Sequence, residues 1–363
     1  MTRAAEARID LAALRHNLAR VREAARGACV MAIIKANGYG HGMARVARVL
    51  AHGDDGVDAF GVASVDEAIA LREAGIETPV TLLEGFFEAA ELAAVEYYRL
   101  SVVIHHAVQL DILETHPLSS SIPVWLKIDS GMHRLGFAPD KARDAWRRLK
   151  SCPWAADPIR LMTHLASADD RHSPQTLAQL ECFDTAISGI EGERGIANSA
   201  AILAWPQTHA QWVRPGIMLY GVSPFVDGVA ADENLKPVMT LNSRLISVNR
   251  FRKGDAIGYA ASWVCPRDMP VGVVAIGYGD GYPRHAAPGT PVLVNGRRVP
   301  LIGRVSMDMV TVDLSSQPEA RIGDPVTLWG EGLPVEEVAR RAGTIAYQLL
   351  CNVAQRVRFV EVE

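Results

Sequence analysis

Short apolar runs recur along the first two thirds of the chain. They are Val30–Ile34, Phe60–Ala63, Val80–Leu83, Val102–Ile104, Val124–Ile128, Ile159–Met162, a weak run near Ile196, and Ile217–Tyr220. Most are continuous rather than alternating, the pattern of strands buried on both faces. Between them lie segments of helical period, among them Gly42–Ala51, Val65–Ala74, Ala89–Tyr97, Pro139–Lys150 and Pro174–Ser188, with a short one at Ser199–Ala204. Pro139 and Pro174 stand where a helix is able to begin. Strand and helix alternating in this way predict a parallel sheet. Eight units in about 210 residues favour closure into a (β/α)8 TIM barrel. The open alternative is a doubly wound sheet with a dinucleotide site. Its G-x-G-x-x-G fingerprint is missing, because Gly38-Tyr39-Gly40-His41-Gly42 is followed by Met43, and no G-x-x-x-x-G-K-[ST] occurs.

The pattern changes after about Val222. Pro224–Asp232 is turn-rich and acidic, and from Val238 the chain reads as strands: Leu241–Val248, Gly272–Ile276, Pro291–Val294, Met309–Leu314, Pro325–Trp329 and Arg356–Val362. Val294-Asn295-Gly296-Arg297 carries an Asn-Gly hairpin signal. One clear helix remains, Val335–Ala342, ending before Gly343. The expected architecture is α/β: an N-terminal (β/α)8 barrel over residues 1–230, then a mostly antiparallel β domain over residues 231–363. The first strand, Arg8–Leu11, precedes the barrel units, and residues 1–11 are expected to pair with the β domain.

Composition adds limits rather than direction. A barrel needs only about 250 residues, so this chain carries roughly 110 more, enough for the second domain. Hydrophobic residues at 49% and charged residues at 21% fit a soluble globular chain and exclude a mainly disordered one. A formal net charge of −4 gives no footprint for nucleic acid or an anionic membrane. No apolar stretch is long enough to cross a bilayer, and Met1–Asp10 lacks the apolar core of an export signal. Cys29, Cys152, Cys182, Cys265 and Cys351 are scattered and form no C-x-x-C pair, so we expect free thiols in a cytoplasmic protein and no metal site.

Barrel enzymes place chemistry at the C-terminal ends of their strands. Lys35 ends the first strand, in Ile34-Lys35-Ala36-Asn37-Gly38-Tyr39-Gly40. A desolvated lysine there becomes a nucleophilic amine; the plain alternative is a lysine reaching solvent or an acid. The fifth strand ends in Lys127-Ile128-Asp129-Ser130-Gly131-Met132-His133-Arg134. Arg134 suits a carboxylate or phosphate clamp or, more simply, a surface ion pair, whereas Lys127 inside an apolar strand needs a partner or a modification. His164 ends the sixth strand, Asn198-Ser199-Ala200 follows the seventh, and Arg214-Pro215-Gly216-Ile217 leads into the eighth. Barrels often bind phosphate near strands seven and eight; a helix cap and a loop glycine are the simpler reading of the same residues. In the β domain, Tyr259, Tyr278 and Ser306-Met307-Asp308 lie in turns and carry no chemistry by themselves. The residues alone lead to a barrel enzyme with a candidate amine nucleophile and a candidate phosphate site, each beside its simpler reading.

Together these motifs resemble the alanine racemase family of pyridoxal 5'-phosphate (PLP) enzymes. Lys35 to Gly42 is similar to the family's cofactor-lysine signature. Lys127 to Arg134, His164, Asn198-Ser199, Arg214 to Ile217, Gly258-Tyr259, Gly277 to Gly281 and Gly303 to Asp308 also match, in order and across both domains. The resemblance implies a head-to-tail homodimer with shared active sites, acting on a small amino acid. Lys35 would carry PLP. Tyr39, Ser199, Gly216 and Ile217 would bind its phosphate, with Asn198 and His164 also in the cofactor site. Arg214 would face the pyridine nitrogen, and Arg134 would contact the cofactor and the substrate carboxylate. Tyr259 and the Met307 N–H would come from the other subunit, with Tyr278 and Asp308 at the entrance. Lys127 matches a lysine that some members carry as a carbamate, able to orient Arg134. Gln355 stands where some members place a phosphate-binding tyrosine, and is left outside the site.

The implied reaction interconverts L- and D-alanine through PLP with two opposed bases, supplying D-alanine for peptidoglycan or serving alanine catabolism. Lys35 would work on one face of the substrate and Tyr259 on the other. A phenol is a poor base at neutral pH, and His164 and Arg214 would supply the cations that favour its phenolate. Other readings are a racemase for serine, lysine or several amino acids, a PLP decarboxylase, and a barrel that carries PLP without catalysis.

Overall fold

The computed structural model describes residues 4–52 and 56–363. The chain divides into two compact units: Asn17–Leu219 with Pro224–Asp227, and the N-terminal segment to His16 with Tyr220–Ser223 and Gly228–Glu363. It opens with β1 (Glu6–Asp10) and a helix, Leu11–Ala24, which Asp10 starts by accepting the Ala13 N–H at 2.7 Å.

Eight parallel strands close the first unit into a barrel: β2 (Cys29–Ile33), β3 (Ala59–Val62), β4 (Val80–Leu82), β5 (Ser101–Ile104), β6 (Ile122–Lys127), β7 (Ala155–Met162), β8 (Arg194–Gly195) and β9 (Trp212–Val213). β9 returns to β2 through Cys29↔Trp212 and Val30↔Val213. The continuous apolar runs follow from burial on both faces, complete in β3, β4 and β5. Trp125 and Trp212 meet edge to face inside, 5.6 Å apart, among Met31, Ile33, Ala59, Val103 and Met162. Arg160 lies over both indoles, and Glu193 accepts from Arg160 and from the Trp212 Nε1–H, each at 2.8 Å. The half-exposed Arg160 and Glu193 thereby pair at the edge of this indole cluster.

The eighth strand is not Ile217–Tyr220, which forms a 3₁₀ turn, but the two residues of β9. Pro215 has no N–H to continue the ladder, although its carbonyl still accepts from Ile33 at 2.9 Å. The apolar run after it is buried as a turn, and apolarity alone does not distinguish the two. Arg214 therefore follows the last strand instead of leading into it, at the C-terminal end of the barrel strands.

The second unit is a mostly antiparallel sheet with strands β10 (Met239–Phe251), β11 (Ala256–Ile257), β12 (Trp263–Val264), β13 (Met269–Val274), β14 (Pro291–Val294), β15 (Arg297–Ile302), β16 (Val310–Asp313), β17 (Pro325–Trp329) and β18 (Arg358–Val362). Its main sheet runs β13-β16-β15-β14-β17-β10-β1-β18, and β13 also pairs with β10, so the sheet returns on itself. β1 lies antiparallel to β10 and parallel to β18; Met1–Arg3, part of the segment expected to pair here, lie outside the described residues. The β14–β15 hairpin turns on Asn295 and Gly296, with φ of 50° and 74°, as an Asn-Gly turn between right-twisted strands requires. A second helix, Ala346–Cys351, follows Val335–Arg341 where the sequence predicted one.

Candidate active site

Lys35 stands two residues beyond β2. The backbone then makes a left-handed turn: φ is 53° at Ala36, 54° at Asn37, 62° at Gly38 and 50° at Tyr39. The Gly38 N–H donates to Ile34 O at 2.8 Å and the Gly40 N–H to Ala36 O at 3.0 Å. Only Gly38 is free of the steric penalty, about 1–2 kcal/mol for each L-residue so placed. The surroundings hold the turn. Glu67 accepts the N–H groups of Ala36 and Ala63, both at 2.7 Å, and Asn37 Oδ1 accepts the Met43 N–H at 2.9 Å. The buried His41 ring reaches the Gly38 and Tyr39 carbonyls through Nδ1, and burial pushes its pKa down to about 4.

The turn directs Tyr39 toward the loop after β9. A Cβ on Gly216 would stand 2.7 Å from the Tyr39 hydroxyl, so the glycine lets that hydroxyl come close and any larger residue would push it aside. On the other side, Asn198 caps the helix Ser199–Ala204 by accepting the Ala201 N–H at 3.0 Å. Ser199 Oγ accepts the N–H groups of Gly216 at 2.8 Å and Met218 at 3.4 Å. Tyr39, Ser199, Gly216 and Ile217 thus meet at the ends of β2, β8 and β9.

Beside this cradle lies a group of cations. Arg214 is buried and donates to the carbonyls of Gly195, Thr163 (2.6 Å) and Ile196 (3.3 Å). Burial lowers its pKa to about 10, which leaves it charged at neutral pH. Lys127 is 8% exposed; burial, then Arg214, Arg134 and Lys35, push its pKa down to about 8. Asp129 opposes that shift, but its Oδ1 is engaged by the N–H groups of Gly131, Met132 and His133, each at 3.0 Å. Burial and the same cations hold His164 well below the usual imidazole range. His164 is therefore neutral here, and Arg214 rather than His164 is the cation. Such mutually repelling cations suit an anionic ligand, and the glycine-lined hydroxyl cradle suits a phosphate.

The second unit carries its own group. Tyr259 follows Gly258 (φ 76°) at the tip of the β11–β12 hairpin and is 66% exposed. An ideal Cβ on Gly303 would lie 3.1 Å from Ile257 O, so the segment Gly303–Met309 runs beside that hairpin. Tyr278 joins it through its N–H to Ser306 O at 3.0 Å, and the Gly279 N–H donates to Met307 O at 2.8 Å. Arg356 fastens both turns, pairing with Asp280 and Asp308 at 2.9 Å each. Tyr259, Tyr278 and Met307 remain exposed.

Residues 9–224 match the family described as alanine racemase, N-terminal domain, and residues 238–361 match alanine racemase, C-terminal domain. The chain belongs to the alanine racemase family. It is 55% identical over 353 residues to an alanine racemase of Nitrosococcus oceani, covering 97% of this chain and 98% of the relative. It is 48% identical over 364 residues to one from Coxiella burnetii, covering 99% of each. A crystal structure of the biosynthetic alanine racemase from Pseudomonas aeruginosa superposes with a TM-score of 0.96 at 47% identity and covers 100% of both chains. The Bartonella henselae alanine racemase, solved with covalently bound pyridoxal phosphate, gives a TM-score of 0.88 at 27% identity over 99% of each chain.

The candidate site residues of this racemase-family chain fall in two groups, the barrel set from Lys35 to Ile217 and the β-unit set of Tyr259, Tyr278, Met307 and Asp308. Gln355 is exposed. Three supporting residues escaped the sequence reading: Glu67, His41 and Arg356. Ser64-x-x-Glu67 has the form of a capping box, a signal that marks Glu67 but not its reach to Ala36. His41 lies inside the cofactor-lysine motif. Arg356 has no local signal, because its partners are about 50 or more residues away.

Proposed function

We propose that the chain interconverts L- and D-alanine with PLP as cofactor, as a head-to-tail homodimer whose active sites draw on both subunits. The observation that carries this is the placement of Lys35 among Arg214, Lys127 and Arg134, next to the Tyr39–Ser199–Gly216 cradle. In this reading residues 1–230, apart from the first strand that pairs with the second domain, serve as the cofactor-binding barrel, and residues 231–363 as the domain that lends Tyr259 and Met307 to the partner. Exposed Tyr259, Val264, Met307 and Met309 support such lending. Five free cysteines suit a cytoplasmic location, where D-alanine would be made for peptidoglycan or alanine consumed.

Bound PLP supplies an electron sink that makes the substrate α C–H acidic. Lys35 would hold the cofactor through its amine, and that amine would take the α-proton of the D-substrate. Tyr259 takes that of the L-substrate from the opposite face. Each conjugate acid returns a proton when the reaction runs the other way. Tyr39, Ser199 and the N–H groups of Gly216 and Ile217 hold the phosphate, with Asn198 and His164 completing the cofactor wall. Arg214, fixed by three carbonyls, would hold the cofactor's pyridine end as a donor, and a donor there would disfavour ring protonation and so limit transamination. Arg134 and the Met307 N–H position the substrate carboxylate, Lys127 orients Arg134 once carbamylated into an anion, and Tyr278 and Asp308 line the entrance.

The test is a panel of single-enantiomer amino acids incubated with protein and PLP, resolved by chiral chromatography. Racemisation of alanine above all others is expected. PLP uptake without α-proton exchange in deuterated water would indicate a carrier instead.

A further inference from the structure

The turn that carries Lys35 and Tyr39 is held at both ends by side chains outside the reacting set. At its start, Glu67 uses one oxygen for the Ala36 N–H and the other for the Ala63 N–H. One carboxylate thereby ties the loop after β2 to the loop after β3. At its end, His41 Nδ1 lies 3.1 Å from Gly38 O and 2.9 Å from Tyr39 O. Both neighbours are acceptors, so the tautomer with hydrogen on Nδ1 fits. The ring is buried and neutral, so it donates there without adding another cation to the site. A left-handed turn of L-residues persists only where its surroundings over-determine it.

We propose that His41 and Glu67 are positioning residues for racemisation: they hold the left-handed turn in the conformation that presents Lys35 to the substrate α-carbon and Tyr39 to the phosphate. The inference rests on the roles given to Lys35 and Tyr39 above. It predicts a one-sided defect. A displaced Lys35 loses proton abstraction on its own face, while Tyr259, which stands on the other unit, keeps its face.

The experiment uses holoenzyme at saturating PLP and reads α-proton exchange in deuterated water from each enantiomer, the visible cofactor spectrum and Tm. His41→Leu and Glu67→Ala are expected to lower exchange from D-alanine at least roughly tenfold more than from L-alanine, since small misplacements of a reacting group are costly. The visible band should shift or weaken. His41→Asn, whose Nδ2 stands near the place of Nδ1 and still donates, should recover most of the D-alanine exchange. Equal losses for both enantiomers, or losses that follow Tm without rescue by Asn, would overturn the proposal. If His41→Leu does not fold, Glu67→Ala decides. Native protein and Lys35→Ala separate the two levels of the reading. If native protein exchanges neither enantiomer, the functional reading and the inference fall together. If these controls behave as expected and both variants exchange like native protein, only the positioning inference fails.

Discussion

The Tyr39 hydroxyl lies 2.7 Å from the point where a Cβ on Gly216 would stand. The phenol and the glycine therefore form one unit of the cradle proposed to hold the phosphate. Gly216→Ala forces Tyr39 aside, and overpacking of this kind costs about 1–3 kcal/mol. PLP affinity should fall by roughly ten- to a hundredfold on that energy. Tyr39→Phe removes the clashing oxygen, so the double variant should be more stable than the sum of the single effects. A spectroscopic PLP titration and thermal melts of the three variants check both expectations.

Lys35→Ala removes the amine proposed to carry the cofactor and to act on the D-face. The visible absorbance of bound cofactor should disappear, and racemisation should fall to the limit of detection. A variant that keeps both would remove Lys35 from its proposed role.

Lys127 predicts a pH-dependent stability. Its pKa falls from an ordinary 10.5 to about 8 because burial and neighbouring cations disfavour the charged form. Between those values the unfolded chain holds more protons than the folded one, so this contribution to stability rises with pH across that window. Below pH 8 the penalty is full, on the order of 3 kcal/mol in cofactor-free protein. Lys127→Met should accordingly raise the Tm of cofactor-free protein at pH 7, with the gain shrinking toward pH 10. Melting curves at several pH values test it, and a lower Tm for the variant at pH 7 would contradict it. Activity should fall nonetheless, because methionine cannot form the carbamate proposed to orient Arg134.

Tyr259→Ala should block α-proton exchange from L-alanine more severely than from D-alanine, by at least roughly a hundredfold, the scale of general-base catalysis. Equal loss with both enantiomers would defeat the two-base assignment.

The parallel barrel was legible because strands buried on both faces write continuous apolar runs, and the Asn295-Gly296 turn because only a few residue types tolerate its backbone. The eighth strand was misplaced because Ile217–Leu219 are as buried in a 3₁₀ turn as they would be in a strand. Lys35 stood out by its place at a strand end, and Tyr39 and Ser199 through the family resemblance of the motifs that hold them. Their supports did not, since Glu67 and Arg356 act on backbone and side-chain partners distant in sequence. The charge state of His164 was also hidden, because it depends on cations brought together only by folding.

The most direct test of the central claim, a site shared between two copies, is to mix the inactive Lys35→Ala and Tyr259→Ala proteins after dissociation or by co-expression. Each mixed dimer would contain one site with both bases intact, so activity should return to up to roughly a quarter of native by statistical pairing. If mixed dimers are shown to form and no racemase activity returns, Lys35 and Tyr259 do not meet across subunits and the account is wrong at its centre.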